Sequence, residues 1–434
     1  MWKLFFKTLS SYNLNMRDLF KKLNISTILI AILTFTLGWQ LGQREVDLKW
    51  KNFRPALNVE NKLPPKAVGV DFKLFWDTWD LVSEKYLIKK DIDPEKLFYG
   101  AISGMVASLG DPYTVFLPPE QQKSSMEELN GSFEGVGIQL GFNKEKRLVV
   151  VAPLDGTPAQ KAGIAPEDII VKIGDKDTPG ISLPEAVKLI RGPKGTEVVL
   201  TIFREGEEDT REVKLIRDTI IVKSVSVKME ETKSGRKIAI MKLSRFGERT
   251  KDEWNEAISV VLSSGTQGVV LDLRNNPGGF LDGAVFIASE FLPSGDVVIQ
   301  ENYQGQKNAY KVNRSGKILK LPLVVLINKG SASASEIVAG AIQDRNRGKL
   351  VGENSFGKGT IQEAEDLPGG SGIHITTARW LTPDGTWVND TEGLEPDIKV
   401  EIPKDQEVKE GEEKKDLPAG RQDLQLEKAM ELLE

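Results

Sequence analysis

The sequence predicts an α/β protein of several domains, and three observations carry that prediction. Two apolar strands, residues 268–274 and 323–328, each run into a turn of small residues and then a helix, the repeating unit of an α/β layer. Between 126 and 218 the texture changes to short strands broken by glycine and proline turns, which marks a separate domain. Near the amino terminus lies a charge-free apolar run, 23–43, unlike anything after it. A chain of 434 residues, 40% hydrophobic and 28% charged, can bury more than one core. A net charge of −5 with no dense basic stripe gives no expectation of nucleic acid as a partner.

Taken in order, residues 1–22 form a basic segment with Lys3, Lys7, Arg17, Lys21 and Lys22 against one acid, Asp18. The run 23–43 is 21 residues long, enough to cross a bilayer's hydrocarbon core as a helix of about 20 residues. The preceding positive charge favours an inside amino terminus, so the body of the protein is expected on the extracytoplasmic side, periplasmic or extracellular. No small-x-small cleavage site follows the run, which reads as an uncleaved single-pass anchor. Residues 44–66, with Pro55, Pro64 and Pro65, read as a linker. In 67–125, Phe72, Phe75, Trp76, Trp79, Val82 and Tyr86 recur at helical spacing and predict a core-facing helix. A second helix starts at Asp93-Pro94 and stops at Gly110.

Within 126–218 a glycine turn, Gly135-Val136-Gly137-Ile138, leads into an alternating strand; further strands follow, with a helix from Pro184. This ordered run resembles a PDZ domain of the kind found in bacterial proteases. The resemblance puts Gly135, Val136, Gly137 and Ile138 at the carboxylate-binding loop. Open backbone amides there can receive a terminal carboxylate while the adjacent strand edge pairs with an extended peptide.

Residues 219–402 hold the two strand–turn–helix units, with an amphipathic helix over 250–263 before them. Beyond 402 lysine and the acids dominate, so 403–434 reads as a solvated charged tail that ends in a short amphipathic helix near 424–433.

The chemistry narrows quickly. There is no cysteine and one histidine, His374, so a thiol nucleophile is impossible and a His/Cys zinc cage nearly so. Covalent chemistry points to serine, with His374 or a lysine as base. Ser331-Ala-Ser333-Ala-Ser335-Glu336 fits a helix capping box at Ser333 and Glu336. Capping explains one serine but not three separated by alanines, a turn pressed for space. A nucleophile at that helix terminus would gain from its partial positive charge. Lys358 lies between two glycines. The stretch from Gly352 to Lys358 matches Gly-x4-Gly-Lys, but Gly359 replaces the Ser or Thr of a P-loop and a strand pattern follows, against a nucleotide site. A free lysine, pKa about 10.4, is neutral only about once in a few thousand near pH 7. Burial without an acidic partner could lower that by roughly three units. Asp344 in contact would oppose the shift and is expected to serve structure. His374, on an alternating strand, reads as an ordinary strand imidazole.

Four motifs make a specific resemblance: Asp272-Leu-Arg-Asn-Asn-Pro-Gly-Gly, Asn328-Lys-Gly-Ser-Ala-Ser-Ala-Ser-Glu, Val351-Gly-Glu-Asn-Ser-Phe-Gly-Lys-Gly-Thr-Ile-Gln and Thr376-Thr-Ala-Arg-Trp-Leu-Thr-Pro-Asp-Gly. Together they look like the carboxyl-terminal processing, or tail-specific, proteases, with coverage from about 70 to 400. That resemblance implies Ser333 as nucleophile, Lys358 as general base and Gln362 orienting the lysine. It implies an oxyanion hole from the amide of Ala334 with Gly278 or Gly279. It further implies an α/β protease core of the crotonase type with an inserted PDZ domain and a preceding helical region. No metal or organic cofactor is needed. The expected partners are proteins or peptides with free, unfolded carboxyl termini and the membrane, with a second copy or an adaptor as further options. Two other classes stay open: a non-catalytic PDZ adaptor and an acyl-CoA enzyme on the crotonase-type fold.

Overall fold

The computed structural model describes residues 34–35, 45–51, 54–60, 71–401 and 423–434. Apart from Thr34 and Phe35, the expected membrane span at 23–43 lies outside the described residues, as does 402–422. Among the described residues no helix is long and apolar enough to cross a membrane. Contacts divide the chain into two compact units, 1–93 and 94–434.

In the first unit the stretch expected as a linker contains two antiparallel strands, β1 (Glu45–Lys51) and β2 (Arg54–Glu60), paired from Glu45 with Glu60 to Lys51 with Arg54. Prolines argued for a linker, yet Pro55 stands at the second residue of an edge strand, where proline is tolerated. Helix α1 (Lys73–Lys85) follows as the spacing predicts, but the expected burial does not. None of its residues is buried; Trp76 is 58% exposed, and Phe75, Trp76 and Trp79 meet one another. Periodicity reports how apolar a helix face is, not whether anything covers it.

The second unit opens with α2 (Pro94–Ala107), then β3 (Val115–Leu117) and α3 (Pro119–Asn130). The β-rich domain contains β4 (Ser132–Gly135), β5 (Ile138–Phe142), β6 (Leu148–Pro153), α4 (Pro158–Lys161), β7 (Ile169–Ile173), β8 (Lys176–Asp177), α5 (Leu183–Ile190), β9 (Glu197–Phe203), β10 (Arg211–Ile216) and β11 (Asp218–Ile221). Its main sheet runs β10-β9-β7-β6-β5, with β8 paired to β7, while β4 pairs with β11. The alternation that predicted these strands puts Leu148, Val150, Leu200 and Ile202 into one core.

The α/β region contains β12 (Val225–Glu231), β13 (Lys237–Leu243), α6 (Thr250–Ser263), β14 (Gly268–Asp272), α7 (Leu281–Phe291), β15 (Asp296–Asn302), β16 (Lys307–Lys311), β17 (Leu323–Ile327), α8 (Ala334–Asp344), β18 (Lys349–Gly352), β19 (Thr360–Asp366), β20 (Gly372–Leu381), β21 (Ile398–Lys399) and, after the undescribed stretch, α9 (Leu424–Glu431). One sheet runs β12-β13-β14-β17-β18-β21 and is parallel from β13 onward. Every residue of β14 and β17 is buried, as a parallel strand covered on both faces requires. Residues of α6, α7 and α8 close one face around Val269, Leu271 and Val325. Ala429 and Leu433 pack on the other face, against Ile240, Val270, Val324 and Leu326. The terminal helix is thus a docked layer, where the charge-rich sequence suggested a solvated tail. A second sheet, β16-β15-β20-β19, takes β3 onto β20.

Candidate active site

Strands β14, β17 and β18 are parallel neighbours, so the loops after their carboxyl ends, 273–280, 328–333 and 353–359, emerge on the same edge. Such edges are where open α/β sheets build their sites. The two outer serines of the small-residue turn stitch these loops together. The Ser331 hydroxyl donates to Leu273 O at 2.9 Å and accepts from Asn328 N at 3.0 Å; the Ser335 hydroxyl donates to Asn276 O at 2.9 Å. Both serines are fully buried. Ser333 between them is only half-buried, and its hydroxyl donates to no protein atom among the described residues. The turn is crowded because two of its serines are structural pins.

Ser333 has φ +53° and ψ −114°, a conformation of order 1–3 kcal/mol above the favoured regions. It stands at the amino terminus of α8 and forms a capping box with Glu336, whose Oε2 accepts from the Ser333 amide at 2.7 Å. The sequence showed Glu336 only as a cap, but its carboxylate does more. Oε1 accepts from Ser355 Oγ at 2.5 Å and Gly357 N at 2.6 Å, and Oε2 also accepts from Lys358 N at 3.0 Å. One fully buried carboxylate therefore ties the Ser333 turn to the Lys358 loop. Burial pushes its pKa up, against the pull of these four hydrogen bonds.

Gly278 lies hard against Ser333. A Cβ built on it would come within 2.8 Å of Ala332 O and Ser333 Cβ and 3.0 Å of Ala334 N. Its own amide donates to Asn276 Oδ1 at 2.9 Å. No acceptor among the described residues takes the amides of Ala334 or Gly279. Of the two glycines expected as partners for Ala334, Gly279 is the one with an uncommitted donor.

Lys358 is half-buried, and burial pushes its pKa below the ordinary lysine value, although the carboxylates of Asp111 and Glu336 act the other way. Its Nζ stands 4.7 Å from the centre of the Tyr113 ring. No hydrogen bond joins it to Ser333 or to Gln362. Gln362 on β19 instead donates to Thr360 Oγ1 at 2.9 Å and Thr376 Oγ1 at 3.1 Å. His374 on β20 is lowered by burial and then by the Lys358 charge, and it makes no hydrogen bond to Ser333. Asp344, at the far end of α8, accepts from Asp384 N at 2.9 Å and does not touch Lys358, as expected of a structural acid.

Tyr113 and Asp111 escaped the sequence analysis. They reach the site because β3 pairs with β20, Val115 opposite His374, and because Thr114 Oγ1 accepts from Thr376 N at 3.0 Å. Burial would raise Asp111, but hydrogen bonds from Thr114, Thr376 and two backbone amides outweigh it and hold the carboxyl low. A pairing across more than 250 residues leaves no local periodic signal; the only hint was the polar Asp-Pro-Tyr-Thr stretch after the stop at Gly110.

At the expected carboxylate loop, Val136 is buried and Gly137 has φ +76°. A Cβ at Gly137 would strike the Thr157 side chain at 2.4 Å, so only glycine fits. Strand β5 is the outer strand of its sheet and packs beside α5, which leaves one strand edge beside a helix.

The family model for peptidase family S41 matches residues 237–400, that for a PDZ domain 149–204, and that for the activating protease CtpB N-terminal domain 48–121. The carboxy-terminal processing protease CtpA of Bacillus subtilis is 40% identical over 326 residues, 75% of this chain and 68% of that protein. The carboxyl-terminal-processing protease of Synechocystis is also 40% identical over 326 residues, 75% of this chain and 76% of that protein. Among solved structures, the photosystem II D1 C-terminal processing protease is 30% identical, with a TM-score of 0.46, covering 77% of this chain and 94% of that one. The chain belongs to the carboxyl-terminal processing serine proteases of peptidase family S41 and carries a PDZ domain.

Proposed function

We propose that the enzyme is a membrane-anchored endopeptidase that cleaves proteins near free, unfolded carboxyl termini through a Ser333–Lys358 dyad. One observation carries the reading: of three serines in the turn, two are spent as buried pins, and Glu336 ties the third to the loop of a lysine whose pKa burial depresses. The neutral Lys358 amine takes the Ser333 Oγ proton as the oxygen attacks the scissile carbonyl. Amides of Ala334 and Gly279 receive the oxyanion, helped by the α8 terminus. Collapse breaks the peptide bond, and Lys358 returns the proton to the leaving amine. Water, deprotonated by Lys358, then hydrolyses the acyl-enzyme. The Tyr113 ring favours the ammonium form, because cation–π attraction needs the charge. Losing the proton releases Nζ from the ring, and Gln362 then orients the amine toward Ser333. The PDZ domain takes the substrate's terminal carboxylate at Gly135, Val136, Gly137 and Ile138 and its backbone along the β5 edge. The core is of the crotonase type, and 23–43 holds the body at the extracytoplasmic face of the membrane.

The test is to incubate the full chain with an unfolded protein carrying a free or amidated carboxyl terminus and to map the cuts by mass spectrometry. Ser333→Ala and Lys358→Ala abolish cleavage about equally, His374→Ala leaves it, and amidation weakens binding. A histidine variant as dead as the lysine variant would return the choice to a Ser-His mechanism.

A further inference from the structure

Arg274 begins the turn that contains Gly278 and Gly279, and its side chain is only 15% exposed. All five guanidinium N–H groups are engaged. Nε donates to Asp272 Oδ1 at 2.9 Å and Nη2 to Asp272 Oδ2 at 2.7 Å. Nη1 donates to Asp423 Oδ1 at 2.8 Å and Gln425 Oε1 at 3.1 Å, and Nη2 to Asp423 Oδ2 at 2.8 Å. Asp272 faces α9 because strand side chains alternate: Val269 and Leu271 point to the other core, while Val270 belongs to the core under α9. Burial alone would raise Asp423, but the guanidinium outweighs it and holds the carboxyl below the usual range.

Asp423 has a second task. Its Oδ1 also accepts from Leu426 N at 3.1 Å, which makes it the amino-terminal cap of α9. An eight-residue helix does not form alone in water, so α9 depends on this cap and on burying Ala429 and Leu433 against the sheet. Gln425, nearly fully buried, completes the attachment by donating to Val400 O at 2.8 Å. Seating the terminal helix therefore supplies three of the five hydrogen bonds that fix the Arg274 side chain, four and five residues from the proposed oxyanion donor region.

We infer that the carboxyl-terminal helix is a clamp on the oxyanion turn: Asp423 is a positioning residue that acts through Arg274, and full turnover requires α9 to be seated. The inference rests on the oxyanion role proposed for this turn. An oxyanion contact is made in the transition state, so loosening it lowers kcat and leaves KM nearly unchanged. Removing one such donor costs about 10²–10³-fold. Asp423→Asn, which loosens the turn without removing a donor, should lower kcat about tenfold.

The experiment uses the full chain and a peptide substrate. It compares the wild type, Asp423→Asn and Asp423→Glu for kcat, KM and the endpoint stoichiometry of labelling by a fluorophosphonate, which counts folded sites. Expected are a tenfold lower kcat per labelled site for Asp423→Asn, KM within about twofold, and partial recovery in Asp423→Glu. A chain ending at residue 402 should lose more, and a synthetic peptide of residues 403–434 should restore it in trans. Wild-type kcat per labelled site in Asp423→Asn, or a loss carried by KM or by the number of labelled sites, would overturn the clamp. Cleavage surviving in Ser333→Ala would instead overturn the dyad beneath it, whereas an inactive Ser333→Ala beside a normal Asp423→Asn removes the clamp alone.

Discussion

A methyl group at Gly278 tests the geometry of the site with the fewest other changes. The position has φ +100°, so Gly278→Ala first costs about 1–2 kcal/mol of backbone strain. The steric effect is separate. The new Cβ would sit 2.8 Å from Ser333 Cβ and 3.0 Å from Ala334 N, whereas carbon atoms pack at about 3.5–4.0 Å. The serine and the amide behind it must therefore move by roughly 0.7 Å. A misplacement of about 1 Å can cost 10²-fold in rate, so kcat should fall about 10–100-fold while KM changes little. Gly206 supplies the control: its φ is +93°, and nothing lies within 4 Å of an added Cβ. Gly206→Ala carries the strain without the push. Steady-state kinetics on a peptide substrate, with a thermal melt of each variant, separate the two effects. Similar melting shifts with a kcat loss only in Gly278→Ala support the geometry. Equal activity in both variants would refute it.

Two further predictions follow from the same contacts. Glu336 raises the pKa of Lys358 by its charge, so Glu336→Gln removes that pull and the acid limb of the kcat/KM profile moves to lower pH. Maximal activity also falls, because an amide presents two donors where the carboxylate accepts from Ser355, Gly357, Ser333 and Lys358; an unmoved or alkaline-shifted limb would argue against Lys358 as the titrating base. At the PDZ loop, Gly137→Val meets Thr157 at 2.4 Å and should erase any difference in binding between free and amidated carboxyl-terminal peptides, measured by fluorescence anisotropy; a difference that persisted would remove this loop from carboxylate recognition.

Much of the architecture was legible because its signals are local. Strands β14 and β17 are buried on both faces, so they read as unbroken apolar runs stopped by small or turn-forming residues. The Ser331 to Glu336 turn declared its crowding through its composition. What stayed hidden depends on pairings distant in sequence. Asp423 meets Arg274 across 149 residues, and acids of a charge-rich tail look solvated until a partner is known. Tyr113 reaches Lys358 through the β3–β20 pairing and the Thr114–Thr376 hydrogen bond. Glu336 announced one hydrogen bond as a cap, and the other three come from a loop that begins nearly 20 residues later. In α1 the error ran the other way, since an apolar face was read as core and its residues are not buried.

The central claim is that Ser333 is activated by Lys358. The most direct measurement is the site and rate of fluorophosphonate labelling in the full chain, mapped by mass spectrometry across pH. The account predicts a single adduct on Ser333, a rate that rises as Lys358 loses its proton, and near-complete loss of labelling in Lys358→Ala with the fold intact. An adduct on Ser331 or Ser335, or labelling of Ser333 that Lys358→Ala leaves unchanged, would contradict it.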